Sequence, residues 1–512
     1  MTIDLQHTYA ESLPWRLRAP VAALRDRLMA VAAVERFFDR DASLWHPAVA
    51  TQARIRERLG WLDLPTLADI AALETWVAGV RADGIRDVLV VATGGAADIA
   101  RLWRDLPVSR SAASRLVVID SIDPAGVTAG LTQLDPAHTL ALLIAPHESS
   151  VAFEALSRIV AERLLGARGT TQRFVGLVAP GSPADAWVRS LGVAIHPAPA
   201  DVGERWSALS RIGFMLAALA GIDLRRVADG ARIARDAVLS HDPRRVGGFR
   251  LGATLGALAQ HGHDLLCFDP DPSLWPLARW MRMLLAASLS KHRRGFVPIL
   301  AQPAMPREDQ LVIALRSLDT ATPDDARPAN EPRLRLIVDD AASLGAVIMT
   351  WQIGVAVAAI ALGLNPFDQP DSDAFDQAWR RRLAAGARQP VTHFPALANR
   401  TPERLLRESR WVLLAGYGAA GTAATALDAP LDATVAAPVS VVRPLDDLAW
   451  ATQALHAGRA DGSVLLRCSL GERDLTVPGV AWTLADLCRT RLDLDLAAWR
   501  AQDRPVAWLN PR

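Results

Sequence analysis

The chain runs to 512 residues, 51% of them apolar and 22% charged, and its 56 basic side chains all but balance 55 acidic ones. That length is the length of two or three domains, and the composition is globular rather than disordered or low-complexity. A net charge of +1, with no block of Lys or Arg, leaves nucleic-acid and anionic-membrane partners without electrostatic support.

Lys291 is the only lysine, so any other cation a mechanism needs must be arginine. Cys267, Cys468 and Cys488 lie far apart without metal-ligand spacing. They read as reduced core residues of a cytoplasmic protein, and neither a metal nor a cofactor is expected. The opening MTIDLQHTYAESLPWR lacks the basic and apolar regions of a signal peptide.

Residues 1–85 read as a helical segment packing on the core, because VAALRDRLMAVAAVERFFDR and TLADIAALETWVAGVRA repeat apolar residues at three and four. The texture then changes. DVLVVATGG (87–95) is a β-branched run closing on glycines, followed by the helical AADIARLWRDL. RLVVIDS, TLALLIAP and RFVGLVAP are further short apolar runs, each leading into a turn or helix. This alternation predicts a parallel sheet covered on both faces over 86–240.

LLCFDP (265–270), FVPILAQ (296–302), DQLVIALRS (309–317) and RLRLIVDD (333–340) repeat the pattern over 241–400, around a Pro- and Asp-rich loop at 320–332. The most apolar window, IGVAVAAIALGL (Ile353 to Leu364), spans about twelve residues, too short to cross a bilayer and suited to a buried helix. In 401–512, WVLLAGYG, VSVV and SVLLRCSL predict strands of a C-terminal subregion completing the second domain, closed by a helix. The expected class is α/β: two three-layer α/β/α sandwich domains with mainly parallel sheets, a helical N-terminal layer and a C-terminal subregion.

Six stretches carry a resemblance, in a single order along the chain. They are DASLWHPAVATQARIRERLGWLDLP (41–65), VVIDSIDPAGV (117–127), DVGERWSALSRIGFMLAALAGID (201–223), LARWMRMLLAASLSKHRRGFVPIL (277–300), GLNPFDQPD (363–371) and ALHAGRADGSVLLRCS (454–469). From the second onward they are similar to the "DSTDPAQV", "DIGGRYSALS", "ESTGK" with "GIVPV", "GINPFDQP" and "QLHKGGPNTGVFLQI" segments of phosphoglucose isomerases. The short form fused to transaldolases in some bacteria is the best match. The resemblance implies sugar-isomerase-type domains and places each part of the family's site on this sequence.

Aldose–ketose isomerisation moves a proton between adjacent carbons through an enediolate. It needs a general base, a cation or donors for the oxyanion, and a phosphate seat. The family's base is the glutamate of "ESTGK", which aligns with Ala287, followed by Ser288, Leu289, Ser290 and Lys291. Alanine takes no proton, and losing a positioned base costs about 10²–10⁴ in rate. The family's Gly-Gly-Ser-Ser phosphate turn reads Gly94-Gly95-Ala96-Ala97, which keeps the turn and loses both hydroxyls.

Its second phosphate loop, "SSKSGGT", reads Ile144-Ala145-Pro146-His147-Glu148-Ser149-Ser150, with proline for the lysine and an added carboxylate. Two further lysine positions fall on Asp376 and Ala457. The Gln-His-x-Phe motif of larger isomerases has no counterpart, since Gln260-His261 precedes the glutamate segment and lacks the Phe. Drift from lysine under GC pressure would give arginine, not Pro, Asp and Ala.

Arg205, at the enediolate-stabilising position, remains with Ser207, Asp123, Gln369 and His456. The candidate site is therefore Arg205 and His456 as retained catalytic positions, with Glu148 and Glu204 as relocated bases. Gly94, Gly95, Ser149, Ser150, Ser207, Lys291 and Gln369 are the candidate substrate contacts. Several of these have a structural alternative: an interior salt bridge for Arg205, a solvated helix-end charge for Lys291, helix caps for Ser149 and Ser150, and structural hydrogen bonding for Gln369 and His456.

Gly416-Tyr417-Gly418-Ala419-Ala420-Gly421 is a literal G-x-G-x-x-G, but the acids after the next strand-like run, Asp446 and Asp447, come late, and nicotinamide binding is set aside. The functional expectation is a catalytically impaired phosphoglucose-isomerase homologue that binds a sugar or sugar phosphate, or serves as a structural or regulatory partner. It would act as a homodimer or with an active isomerase or a transaldolase. The alternative is an active glucose-6-phosphate/fructose-6-phosphate-type isomerase with a relocated base or altered substrate.

Overall fold

The structure is a computed structural model describing residues 8–107, 113–145, 150–166, 171–240, 247–300, 307–318, 331–386, 401–418, 437–442, 461–469 and 473–509, with 445, 452, 453, 456, 458, 459 and 471. The described residues form three sheets. The first holds β2 (Asp87–Ala92), β3 (Arg115–Ile119), β4 (Thr139–Ala145), β5 (Phe174–Val178) and β6 (Ala194–Pro197), in the order β3-β2-β4-β5-β6 and wholly parallel. In β2 and β4 every residue is buried, as expected of strands covered on both faces.

The second sheet has the order β1-β10-β9-β7-β8, from β1 (Tyr9–Ser12), β7 (Leu265–Pro270), β8 (Val297–Ile299), β9 (Gln310–Arg316) and β10 (Arg333–Ile337). All its pairs are parallel except β1 with β10. The N-terminal segment thus contributes a strand as well as the expected helices. The third sheet, β12-β11-β13-β14, is parallel and comprises β11 (Val412–Gly418), β12 (Val439–Val442), β13 (Ser463–Ser469) and β14 (Val506–Trp508). Beyond Gly418 the literal glycine motif lies outside the described residues, as do Asp446 and Asp447. Ser440 Oγ donates to the Pro298 carbonyl at 3.0 Å, so β12 adjoins the β8 edge of the second sheet.

Helices layer these sheets. The described ones are α1 (Trp15–Ala30), α2 (Ala33–Phe38), α3 (Val49–Arg56), α4 (Leu67–Ala82), α5 (Gly94–Asp105), α6 (Pro124–Thr132), α7 (Val151–Gly166) and α8 (Pro183–Ser190). They continue with α9 (Arg211–Leu219), α10 (Leu224–Ser240), α11 (Gly247–Gln260), α12 (Trp275–Leu289), α13 (Ala341–Leu362), α14 (Pro370–Ala384), α15 (Pro402–Glu408) and α16 (Leu484–Ala501).

Helix α13 is longer than the apolar window suggests. It spans 22 residues, enough by length and composition to cross a membrane, yet 89% of its most apolar stretch is buried inside the protein. Its Asp340/Ser343 capping box fixes the helix start at Ala341, well before that window. Close packing on α10 requires glycine on both helices, since a Cβ at Gly230 would lie 1.8 Å from the Ala342 carbonyl and one at Gly345 2.0 Å from that of Val227.

An aromatic cluster fixes the turn that carries Arg205. Trp206 stacks on Trp61 at 4.7 Å and meets Phe367 at 5.2 Å, and Trp45 meets Phe367 edge-on at 5.1 Å. The N-terminal layer thereby holds together the 204–209 turn and the 363–369 loop, which supply much of the site.

Candidate functional site

In the first sheet the chain leaves β2 toward β3 on one side and returns to β4 on the other. That reversal is a topological switch point, and the crevice beyond the strand ends there is where open parallel sheets take ligands. Two helices, α5 and α7, open onto it, and their unsatisfied N–H groups would favour an anion. Thr93, at the end of β2, and Ser150, before α7, bring their hydroxyls to 3.1 Å across the crevice.

The chain supplies its own anions to both helices. Glu204 Oε1 accepts the Ala96 N–H at 3.1 Å in the first turn of α5. Asp376 Oδ1, on α14, accepts the Val151 N–H at 3.0 Å at the start of α7. Asp376 also pairs with Arg380 at 2.7 Å, and Arg380 reaches back to Glu154 on α7 at 3.1 Å. Ser150 Oγ accepts from Phe153 N at 3.1 Å, a helix cap. Gly94 turns at φ +61°, and a Cβ on Gly95 would lie 2.6 Å from the Arg205 Cα, so the 204–209 turn sits directly on the start of α5. Glu148 and Ser149, with Pro146 and His147, lie outside the described residues.

Arg205 is 5% exposed. Its Nη2 donates to the Pro366 and Asp368 carbonyls at 2.8 and 2.9 Å, and its Nε to Ser288 Oγ at 3.3 Å. Ser207 Oγ donates to the Glu204 carbonyl at 2.7 Å, holding the turn closed. Ala287, one residue before Ser288 on α12, is buried and brings no polar atom.

Lys291 is not the solvated helix-end charge that its position suggests. It is 1% exposed, and its Nζ donates to the Asn365 carbonyl at 2.6 Å, to Asp368 Oδ1 at 2.7 Å and to the Asp368 carbonyl. Those three acceptors match the three ammonium hydrogens. Burial lowers its pKa to about 8 against the opposing pull of Asp368. Arg205 and Lys291 therefore clasp the same loop from within. Gln369 follows that loop and opens α14, its carbonyl accepting from Asp373 N at 3.0 Å. Asp123, at the start of α6, is 3% exposed, and burial raises its carboxyl.

His456 turns elsewhere. Its Nε2 lies 2.7 Å from Asp495 Oδ1, while Asp495 Oδ2 accepts from Arg491 Nε at 2.8 Å and from the Tyr417 hydroxyl. Asp495 is fully buried. Burial acts to raise its carboxyl, but Arg491, His456 and Tyr417 together hold it below the usual range. Arg491 lies over Phe375 at 4.4 Å and donates to Thr452 Oγ1 at 2.8 Å. Asp495, Arg491, Tyr417 and Thr93 escape a motif-by-motif reading. The available signal was Arg491 and Asp495 spaced four apart on the apolar side of α16.

The structure thus brings Gly94, Gly95, Glu204, Arg205, Ser207, Lys291 and the 363–369 loop together, with Ser150 joined through Thr93, and leaves the His456 side chain in a separate network. A small cleft lies at the seam between the second and third sheets. Ser290, Pro298, Trp411, Ser440 and Arg459 border it, whereas Glu204, Arg205 and His456 do not.

No family model matches the chain. Its sequence is similar to the probable glucose-6-phosphate isomerase of Haloquadratum walsbyi, 28% identical over 275 residues covering 53% of this chain and 63% of that protein. It is also similar to that of Natronomonas pharaonis, 25% identical over 405 residues covering 69% and 90%, and to the glucose-6-phosphate isomerase of Leuconostoc mesenteroides, 23% identical over 279 residues covering 45% and 62%. The match thus spans about six-tenths of the length of two of these relatives.

In fold it resembles a hypothetical protein of Thermus thermophilus, with a TM-score of 0.59 at 21% identity over 73% of this chain and all of that one. It also resembles a glucose-6-phosphate isomerase of Chlamydia trachomatis, with a TM-score of 0.52 at 18% identity over 63% and 74%. Sequence and fold together support a phosphoglucose-isomerase-like protein.

Proposed function

We propose that this chain is a catalytically impaired homologue of glucose-6-phosphate isomerases, acting as a ligand-binding or structural partner in sugar metabolism. The observation that carries the reading is the state of the crevice. Carboxylates of the chain itself sit on both helix starts, and an alanine stands at the base position beside a buried Arg205 bonded to two loop carbonyls. Proton abstraction from a sugar carbon needs a positioned base, worth about 10²–10⁴ in rate. Arg205 and Lys291, the cations that could support an enediolate, are already committed to loop carbonyls. What survives is the scaffold and the grip on the 363–369 loop, which suits association with a second copy, an active isomerase or a transaldolase.

The test is a coupled assay of fructose 6-phosphate conversion to glucose 6-phosphate. Wild type is expected to show no turnover above the uncatalysed rate. Ala287→Glu alone is also expected to stay inactive, because the helix starts remain capped. Turnover abolished by Glu204→Gln, with the fold intact, would overturn the reading and assign the base to Glu204.

A further inference from the structure

We infer that Glu204 and Asp376 are specificity-determining residues that exclude phosphorylated ligands from the switch-point crevice. This rests on the reading of the site given above and deepens it. The start of a helix at such a crevice attracts an anion through free N–H groups and the helix dipole. At α5 the Ala96 N–H already holds a carboxylate supplied from 108 residues further along, and at α7 the Val151 N–H holds one from 225 residues further along.

These are two independent contacts with the same outcome at the two helices that flank one strand pair. A phosphate entering either position would meet a carboxylate at hydrogen-bond distance from its own donor. It would have to displace that carboxylate or suffer like-charge repulsion in a partly buried setting. The second contact does more, because Asp376 lies on the helix that follows the second sheet. Its bond to Val151, reinforced by Arg380 to Glu154, ties α14 to α7 across the crevice. The Thr93 and Ser150 hydroxyls meet each other at 3.1 Å, and Ser150 Oγ also accepts from Phe153 N, so the chain's own polar groups occupy the strand ends as well.

Hydrogen–deuterium exchange and a phosphate titration test this on the full chain. In wild type the Ala96 and Val151 amides should exchange slowly, and inorganic phosphate should change neither their exchange nor the thermal unfolding temperature. In Glu204→Gln, Asp376→Asn and the double variant, which keep side-chain shape, those amides should exchange faster. The double variant should also bind inorganic phosphate about tenfold more tightly than wild type, the scale of a lost charge–dipole contact.

Phosphate that protects these two amides in wild type would overturn the inference, as would equal phosphate affinity in wild type and double variant. The failures are separable. An inactive wild type that nevertheless seats phosphate at the two helices removes the exclusion and leaves the impaired-homologue reading. Isomerisation of an unphosphorylated hexose does the reverse.

Discussion

Asp495→Ala is expected to destabilise the protein by about 3–5 kcal/mol, the cost of removing one partner of a buried ion pair. Arg491 and Asp495 are 1% and 0% exposed at their side chains, so the stranded guanidinium would have no route to water without unpacking Phe375, which it overlies. The His456 ring and the Tyr417 hydroxyl would lose their acceptor as well. Denaturant unfolding followed by tryptophan fluorescence reads the change.

Two companion variants separate charge from packing. Asp495→Asn keeps an acceptor for Tyr417 and should lose less. Arg491→Met combined with Asp495→Ala should recover part of the loss, because a buried pair replaced by apolar groups no longer leaves one charge uncompensated. An Asp495→Ala variant within about 1 kcal/mol of wild type would mean that water reaches the network and that His456 is more accessible than its packing indicates.

Among the strands that the sequence displays, several have no choice but to be apolar. The runs at 87, 139 and 309 lie inside their sheets with both faces covered, so nearly every side chain must be buried and the pattern is continuous. The strands that escape are β1, β6 and β14, each at an edge of its sheet and three or four residues long. In β6 the two end residues are exposed and the middle two only half-buried, so no apolar run is needed and none is written.

The site divides along the same line. What was lost can be read one position at a time, as Ala287 and Ala96 can. What took its place depends on pairs far apart in the chain, such as Glu204 with Ala96 and Asp376 with Val151. No spacing in a single sequence marks those pairs. Lys291 shows the converse: the lysine is legible, but its burial depends on the 363–369 loop folding over it.

Lys291 gives the second large effect, and its sign follows from linkage. Burial holds its folded pKa at about 8, below the 10.5 of an exposed lysine. Between those two values the unfolded chain keeps a proton that the folded chain has released. Stability contributed by this group is therefore complete above 10.5, falls as the pH drops through the window, and is flat below 8. The gradient is about 1.4 kcal/mol per pH unit, and the whole change roughly 3 kcal/mol. The buried hydroxyls of Tyr9 and Tyr417, both raised by burial, act oppositely above pH 10, so the comparison to make is wild type against Lys291→Met over pH 7.5–10.

Wild type should gain stability relative to the variant across that range. Because the chain has a single lysine, ¹³C-labelled lysine gives one ε-carbon resonance, whose titration midpoint should fall near 8. A midpoint above 10, with parallel stability curves, would place Lys291 in water. It would also remove one of the two side chains that clasp the 363–369 loop from within.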